Sequence, residues 1–243
     1  MSEGAAPSAA AAPTPMETVE ALASFGIRAF TTTRAAGTFG FYGTDPVGEV
    51  VGRWDALRRE LASAGPRLAV ARQVHGTGVL VHGSAWEGWL RADAADGHIA
   101  VKRGTGAAVT VADCVPVFIG HPSGAVAVLH SGWKGTAGRI VERAIEMLAQ
   151  RMVPASELVM HLGPSICGRC YEVSPDVYGQ LTGRSVDRPT TVDLRALIAG
   201  HARAAGVHHI GISPWCTRCH NERFFSHRAG DAGRQLGVII AEQ

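Results

Sequence analysis

The sequence predicts a single α+β domain with mixed β-sheets and flanking helices. Strand-like and helix-like segments alternate irregularly, and several strands look like hairpin pairs, unlike the regular alternation of a doubly wound parallel sheet. No Gly-x-Gly-x-x-Gly motif follows a predicted strand, so the commonest dinucleotide-binding signal is missing. Residues 17–243 contain no linker, repeat or change in composition that would divide them, so we expect one domain.

The composition is that of an ordinary globular protein. Of the 243 residues, 46% are hydrophobic and 18% are charged, and a chain of this length can bury a substantial core. The formal net charge of +2 gives no reason to expect a nucleic-acid partner or a polybasic membrane-binding surface. No apolar run is long enough to span a bilayer. The sequence carries no signal that sets the oligomeric state.

Residues 1–16 predict a disordered tail, because they are mostly Ala, Pro, Ser and Gly and have little to bury. They lack the positively charged start and apolar core of a signal peptide, so we expect a cytoplasmic protein. The five cysteines are an odd number, which suits thiols or metal ligands in a reducing compartment better than a disulfide framework.

The first half of the folded chain predicts one amphipathic helix and several short strands. Apolar residues at helical spacing over 50–61 mark the helix, which ends before Gly65-Pro66. Residues 68–74 predict a strand with 79–82 as its hairpin partner, and 83–96 are expected to be irregular. The other strands are expected at 26–34, 107–112 and 115–119.

The second half predicts helices and strands in turn. Residues 125–129 form an apolar run, and a helix-like pattern follows over 140–148. A strand at 158–162 leads into a glycine- and cysteine-containing loop. The remaining elements are a helix at 192–205 and strands at 209–212 and 236–240.

The segment from His130 to Thr136 is a predicted strand-to-helix turn with two kinds of chemistry. His130 at the strand end can bind a metal through its imidazole, and Lys134 with the amides from Gly135 onward can hold an anion. The order Lys-Gly-Thr differs from the Gly-Lys-Thr of a P-loop. Taken alone, the segment is better explained by a solvated lysine and a hydrogen-bonded core histidine.

Three residues stand at comparable places at the ends of apolar segments: His75, Cys114 and His130. Two imidazoles and a thiolate suit zinc, and three protein ligands leave a fourth position open, as in catalytic zinc sites. Copper accepts the same ligands, but the sequence has no His-rich cluster of the kind that multi-electron oxygen reduction requires. A metal-free Cys114 nucleophile with either histidine as its base is a further interpretation.

A second cysteine pattern is separate from this set. Cys167-Gly168-Arg169-Cys170 and Cys216-Thr217-Arg218-Cys219 form two C-x-x-C pairs, which indicate a possible structural zinc, although the gap between them is wider than in a zinc ribbon. His220-Asn221-Glu222 follows the second pair, whereas nucleobase deaminases place their His-x-Glu before the cysteines. The order therefore excludes that motif.

Eight sequence blocks follow one another in a fixed order. They are Gln73-Val74-His75-Gly76, Ala112-Asp113-Cys114-Val115-Pro116-Val117, His130-Ser131-Gly132-Trp133-Lys134-Gly135, Gly163-Pro164-Ser165-Ile166-Cys167, Tyr171-Glu172-Val173, Cys216-Thr217, Phe224-Phe225-Ser226-His227-Arg228 and Gly233-Arg234. Together they resemble the YfiH family, also called DUF152 or the polyphenol-oxidase/laccase-domain family, which includes the mammalian protein FAMIN. The resemblance runs from about Gly26 to the C-terminus.

The resemblance implies a single α+β catalytic domain over 17–243 with zinc held by His75, Cys114 and His130. It also implies phosphorolysis of adenosine, inosine or S-methyl-5′-thioadenosine to base and sugar phosphate, with adenosine deamination as a second activity. The expected partners are thus a small-molecule nucleoside and phosphate. Some bacterial relatives are linked instead to copper-dependent phenol oxidation or to editing of a peptidoglycan precursor.

On this interpretation, other residues take roles around the metal. Arg34 and Lys134 are expected to hold phosphate with the Gly135 amide, and Arg228 and Arg234 are reserves. Asp113 is a proton carrier, an orienting partner of a ligand histidine, or a structural turn carboxylate. The backbone from Gly163 to Ile166 is expected to press against the substrate.

The chain departs from the family pattern at three places. Lys134 stands where relatives usually have Arg, Ala35-Ala36 stands for Gly-Gly, and Gly52 stands near an expected Asn. A non-enzymatic module stapled by the cysteine pairs is an alternative class, but the low net charge and the lack of interleaved aromatic and basic residues count against a nucleic-acid-binding form of it.

Overall fold

A computed structural model describes residues 14–243 and confirms the α+β class. Residues 1–13 of the predicted tail lie outside the described residues. The predicted tail boundary at residue 16 is too late, because Met16 pairs with Thr32 in the first strand. Thr14 is also tied to the fold, since its hydroxyl donates to Glu60 Oε2 at 2.7 Å.

The described residues form fourteen strands and five α-helices. The strands are β1 (Met16–Thr18), β2 (Ile27–Thr32), β3 (Arg67–Ala71), β4 (Val79–His82), β5 (Gly88–Ala92), β6 (Gly97–Ala100), β7 (Thr105–Val111), β8 (Val115–Gly120), β9 (Val126–Ser131), β10 (Val159–Leu162), β11 (Glu172–Val173), β12 (Thr190–Thr191), β13 (His209–Ile212) and β14 (Gln235–Ala241). The helices are α1 (Val47–Leu61), α2 (Trp133–Ala137), α3 (Ile140–Ala149), α4 (Pro175–Thr182) and α5 (Leu194–Ala204).

Two mixed six-stranded sheets form the centre of the domain. The first has the order β1-β2-β14-β7-β3-β5, and the second has the order β13-β10-β8-β9-β6-β4. Strand β3 is parallel to both β5 and β7, and the pairs β4–β6 and β10–β13 are also parallel. The other pairs in both sheets are antiparallel.

The two sheets pack face to face and each is covered by helices on its outer face. Side chains alternate along β14, so Ile239 faces the second sheet while Val238 and Ile240 pack with α1. Strand β9 does the same, with Val128 facing the first sheet and Leu129 facing α3 and α5. The central strands β8, β9 and β14 are buried on both faces, which explains why they appear as continuous apolar runs in the sequence.

The predicted hairpin of residues 68–74 with 79–82 is wrong. Strand β3 belongs to the first sheet and β4 to the second, so residues 72–78 cross from one sheet to the other. Residues 83–96 are not irregular throughout, because β5 lies within them and pairs with β3. Sequence proximity favoured a local pair, whereas both strands found partners farther along the chain.

The strands on either side of Asp113-Cys114 are also in different sheets. Strand β7 lies in the first sheet and β8 in the second. Among the described residues the chain changes between the two six-stranded sheets six times, and two of these crossovers contain predicted ligands: His75 lies between β3 and β4, and Cys114 between β7 and β8. Strand β6, helix α4 and the antiparallel pair β11–β12 were not predicted.

Among the described residues, none of the helices combines the length and the apolar character needed to cross a bilayer.

We expect Phe118→Ala to lower the free energy of unfolding by about 3–5 kcal/mol, the range for removing a buried aromatic ring. Phe118 is fully buried between the sheets, where Gly163 and Gly237 leave room for its ring. Chemical denaturation measures the change. Val47→Ala is the control, since that side chain is 61% exposed and its loss should change stability by less than about 0.5 kcal/mol. Equal effects of the two variants would contradict this account of the core.

Candidate metal centre and adjoining cavity

Three predicted ligands meet at one place. They come from the β3–β4 connection, the β7–β8 connection and the end of β9. One ligand atom from each of His75, Cys114 and His130 lies within 4.8 Å of the others. The two imidazole rings are 4.7 Å apart at their centroids and nearly perpendicular, at 85°. Residues separated along the chain therefore form one cluster with donors suited to a metal ion.

A buried carboxylate that sequence reasoning missed holds this cluster in place. Asp96 is fully buried, and its oxygens accept the backbone N–H groups of Val74, His75 and Gly76 at 3.2, 2.9 and 2.7 Å. These three bonds support the left-handed backbone of His75, whose φ of 57° is unfavourable for a residue with a side chain. Asp96 ends the segment that was expected to be irregular, and no local signal identified this role.

Asp96 also orients the second histidine. Its Oδ1 lies 2.9 Å from His130 Nδ1, and its carbonyl oxygen accepts the His130 backbone N–H at 2.7 Å. With Nδ1 occupied, Nε2 is the ring nitrogen left for a metal or for the thiol. Metal-binding histidines usually have a carboxylate or carbonyl partner of this kind.

The charges in the cluster favour a thiolate. Burial would raise the pKa of Cys114, but His130 and His75 beside it lower that pKa to about 6. Burial would likewise lower the pKa of His130, but the Cys114 thiolate and the Asp96 carboxylate raise it to about 9. The pKa of Asp96 is lowered in spite of burial, because His130 and the crossover amides stabilise its anion. The sulfur is thus in the form that binds metals.

Gly132 is required by the close approach of the sulfur. A Cβ atom at this position would lie 2.7 Å from Cys114 Sγ and 3.8 Å from His75 Cδ2. The glycine in the turn after β9 therefore makes room for the thiol rather than for a bound anion.

The cluster lies in the wall of a cavity of about 560 Å³, a size typical of small-molecule sites. Aromatic and cationic side chains make up much of the remaining lining. They include Phe41, Tyr42, Trp133, Tyr171, Arg72, Arg91, Arg228 and Arg234. Such a lining can contact both a flat apolar ring and an anion.

Asp113 lines the cavity but has a structural role. Its Oδ1 accepts the Thr217 hydroxyl at 2.6 Å, and its Oδ2 accepts the Arg228 backbone N–H at 2.7 Å. Its φ of 79° lies in the left-handed region, and its carbonyl oxygen accepts the Ile166 N–H at 3.1 Å. Of the three roles considered, the turn carboxylate fits this environment, and Asp96 orients the ligand histidine instead.

Two predicted phosphate-binding residues lie away from the cavity. Arg34 donates to Asp231 Oδ2 at 2.6 Å and to the carbonyl oxygens of Asn221 and Phe224, so its guanidinium ties the C-terminal loop to β2. Lys134 is exposed and lines a different depression, with its Nζ 5.5 Å from the centre of the Trp133 ring. Neither of these two predicted residues lines the cavity that adjoins the His75, Cys114 and His130 cluster.

Most of the residues predicted to contact substrate through their backbone lie outside the cavity lining. Gly135 is buried, and a Cβ there would lie 3.3 Å from the carbonyl oxygen of Gly76. Gly163 packs on Pro116 and Phe118, and Ser165 is fully buried. None of these three residues lines the cavity, but Ile166, the last residue of the predicted segment, does.

Arg228 and Arg234, the two further arginines considered as phosphate ligands, line the cavity. Arg228 donates to the Glu172 carbonyl oxygen at 3.0 Å and lies 5.2 Å from the centre of the Tyr171 ring. Arg234 donates from one Nη to the carbonyl oxygens of residues 231–233. Both guanidinium groups bond carbonyl oxygens rather than carboxylates, so these contacts leave their charge available to an anion.

Comparisons with known proteins agree with this architecture. The sequence profile described as multi-copper polyphenol oxidoreductase laccase matches residues 30–242. The structure of YlmD from Geobacillus stearothermophilus superposes with a TM-score of 0.83 at 27% identity, covering 90% of this chain and 93% of that one. A Neisseria meningitidis protein described as DUF152 has a TM-score of 0.81 at 25% identity, covering 94% and 99%.

Two curated relatives have enzyme names. A purine nucleoside phosphorylase of Streptomyces coelicolor is 30% identical over 211 residues, covering 82% of this chain and 85% of the relative. An adenosine deaminase from an unidentified prokaryote is 36% identical over 144 residues, covering 54% and 53%.

We expect Asp96→Asn to weaken zinc binding by about 10- to 100-fold, the usual effect of removing a partner of a ligand histidine. The amide has one acceptor oxygen and cannot serve three N–H groups and the imidazole. Competition with a chromogenic chelator measures the affinity, and circular dichroism checks folding.

Asp93→Asn is the matched control in the same loop. Asp93 pairs with Arg72 at 2.6 Å, but its side chain is 76% exposed. Zinc affinity should therefore stay at the wild-type level. An Asp96→Asn protein that is folded and binds zinc as tightly as this control would exclude the orienting role.

Proposed function

The chain belongs to the family described as multi-copper polyphenol oxidoreductase laccase, the YfiH or DUF152 family, and we propose that it is a zinc-dependent purine nucleoside phosphorylase. Adenosine deamination is the proposed second activity. The observation that carries the proposal is the convergence of His75, Cys114 and His130 in the wall of a cavity lined by arginines. The enzyme names of the curated relatives support the same substrate class.

The donor set fits a catalytic rather than a structural zinc ion. Two imidazoles and one thiolate would fill three positions, and the cavity provides access to a fourth. Asp96 fixes one imidazole, as expected around such a site. When bound there, zinc supplies a Lewis acid that polarises an oxygen or nitrogen atom of the substrate or water.

Phosphorolysis requires an anion and a nucleoside in the same space. The bond between the sugar C1′ and the purine nitrogen breaks, a bond from C1′ to a phosphate oxygen forms, and the base nitrogen takes a proton. Arg228 and Arg234 are the proposed phosphate ligands, because both line the cavity and both bond only carbonyl oxygens among the contacts described above. Arginine suits this task through its planar set of donors.

Tyr171 is positioned to donate a hydrogen bond. Burial, together with the charges of Cys114 and Asp113, raises the pKa of Tyr171 to about 12, although Arg228 opposes the shift. The phenol therefore stays protonated at neutral pH. Since Tyr171 lines the cavity, its hydroxyl can donate to phosphate or to the departing base.

The aromatic part of the lining suits a purine. Phe41, Tyr42 and Trp133 border the same cavity, and a flat heteroaromatic ring gains from packing against such groups. Deamination would use the same space without phosphate: water adds to the carbon that bears the amine, and ammonia leaves. Both activities thus require the same base pocket and differ in their need for phosphate.

The deciding assay follows adenosine with purified protein of known metal content, with and without phosphate. Adenine with ribose 1-phosphate indicates phosphorolysis, and inosine indicates deamination. If neither set of products forms, the proposal is wrong, and editing of a peptidoglycan precursor is favoured. Oxygen uptake with a phenol, dependent on copper, would favour the oxidase that the family description suggests.

Removing a ligand should abolish zinc binding and turnover together. We expect Cys114→Ala and His75→Ala each to lose the zinc of this centre and to reduce kcat/KM by at least about 1,000-fold, since the group that polarises the substrate is lost. Metal analysis and the adenosine assay measure the two effects. His208→Ala removes an exposed imidazole and serves as the control. Full activity after verified zinc loss would contradict the proposal.

The phosphate assignment has its own test. We expect Arg228→Gln to raise KM for phosphate by about 10- to 100-fold, as for loss of one charge-assisted hydrogen bond. Lys134→Gln should leave this KM unchanged, because Lys134 lies outside the cavity. Arg188→Gln provides an exposed control for removing a positive charge. If Lys134→Gln raised the KM for phosphate and Arg228→Gln did not, phosphate would bind at the turn after β9 instead.

A further inference from the structure

Two C-x-x-C pairs meet in a cluster separate from the candidate metal centre. One sulfur from each of Cys167, Cys170, Cys216 and Cys219 lies within 4.8 Å of the other three. The pairs are 49 residues apart in sequence, and Cys170 Sγ is 3.4 Å from Cys219 Sγ. Four sulfurs around a tetrahedral zinc ion with bonds of about 2.3 Å stand roughly 3.8 Å apart, so the cluster has nearly the size that one ion requires.

Parallel strands explain why the pairs meet. Strands β10 and β13 are adjacent and parallel, so the chain leaves both at the same edge of the second sheet. The two exits are then bonded to each other, since Ser165 accepts the Thr217 N–H at 3.1 Å through its carbonyl oxygen. The first cysteine of each pair, Cys167 or Cys216, lies close in sequence to this hydrogen bond. The fold therefore presents the four thiols side by side.

The surroundings of Cys216 are those of a metal-bound thiolate. Cys216 is buried, and its sulfur accepts the backbone N–H groups of Cys167 and Cys219 at 3.3 and 3.4 Å. Such N–H groups stabilise negative charge on a ligand atom. Each pair also contains an exposed arginine, Arg169 or Arg218, which offsets the net charge of −2 that zinc with four thiolates carries.

We propose that Cys167, Cys170, Cys216 and Cys219 bind one structural Zn²⁺ ion that joins the loops after β10 and β13. Four protein ligands leave no position open for substrate, so this ion stabilises and does not catalyse. On this proposal the enzyme binds two zinc ions per molecule, one at an open catalytic site and one at a closed structural site. Zinc binding releases the thiol protons that the four sulfurs carry in the metal-free protein.

The closed site holds one wall of the cavity in place. Thr217, next to Cys216, donates to Asp113 Oδ1 at 2.6 Å, and Ile166, next to Cys167, donates to the Asp113 carbonyl oxygen at 3.1 Å. Asp113 precedes the ligand Cys114. Tyr171, which follows Cys170, lines the cavity itself. These four cysteines are therefore positioning residues for the proposed reaction.

The test counts zinc in full-length protein purified without chelators. Wild type should contain about two zinc ions per chain, and the Cys170→Ser/Cys219→Ser protein about one. Cys114→Ser should also contain about one, because it loses the other ion. The double variant should retain the zinc that Cys114→Ser loses, and its KM for nucleoside should rise more than its kcat falls.

Cobalt substitution distinguishes the two sites in the same proteins. Charge-transfer absorption from thiolate to cobalt grows with the number of thiolates, so Cys114→Ser should keep most of the band and Cys170→Ser/Cys219→Ser should lose most of it. Wild-type protein gives an independent check if a variant fails to fold. Its exposed Cys219 should react slowly with a thiol reagent until a chelator removes the ion, and then rapidly.

Wild type with about one zinc ion, lost only in Cys114→Ser, would overturn the closed site. So would rapid reaction of Cys219 without chelator, or the recovery of these cysteines as two disulfides from freshly purified protein. The zinc count needs no assay of nucleoside chemistry. A failed phosphorylase assay and a missing second ion are therefore separate results.

Discussion

The arrangement of this protein depends on the buried carboxylate of Asp96. It accepts three consecutive N–H groups of the first crossover and bonds the His130 imidazole, so it joins two segments that belong to different sheets. A buried charge is costly unless it is bonded, and here four polar contacts to the carboxylate satisfy it. The same bonds stabilise the left-handed conformation that turns His75 toward Cys114.

The crossovers between the sheets place the metal-binding cluster beside the cavity. Because β3 and β7 lie in one sheet and their successors in the other, the ligands stand at the seam between the sheets. The adjoining cavity is lined by aromatic side chains and by arginines, including Arg228 and Arg234 of the C-terminal loop. That loop is held by the ion pair of Arg34 with Asp231, so a residue expected to bind phosphate instead supports the segment that carries Arg228 and Arg234.

The two cysteine-containing clusters illustrate how ligand number separates roles. His75, Cys114 and His130 face a cavity and leave room for a further ligand, whereas the four cysteines surround one point with backbone N–H groups directed at a sulfur. Asp113 lies between the clusters and bonds both Thr217 and the Arg228 backbone. Hydrogen bonds of Asp113 thus connect the loop of Cys216 with the loop of Arg228 in the cavity wall.

The sequence by itself determined the α+β class, most strand and helix positions, the donor set of His75, Cys114 and His130, and the two C-x-x-C pairs. These are local properties, since periodicity and residue chemistry are read within short windows. Tertiary structure alone decided which sheet each strand joins, that Asp96 supports the ligands, and that Arg228 rather than Lys134 faces the cavity. Strand partners and side-chain directions depend on contacts between residues far apart in the chain. A change of one position reverses the face of a side chain along a strand, and turns it by about 100° around a helix.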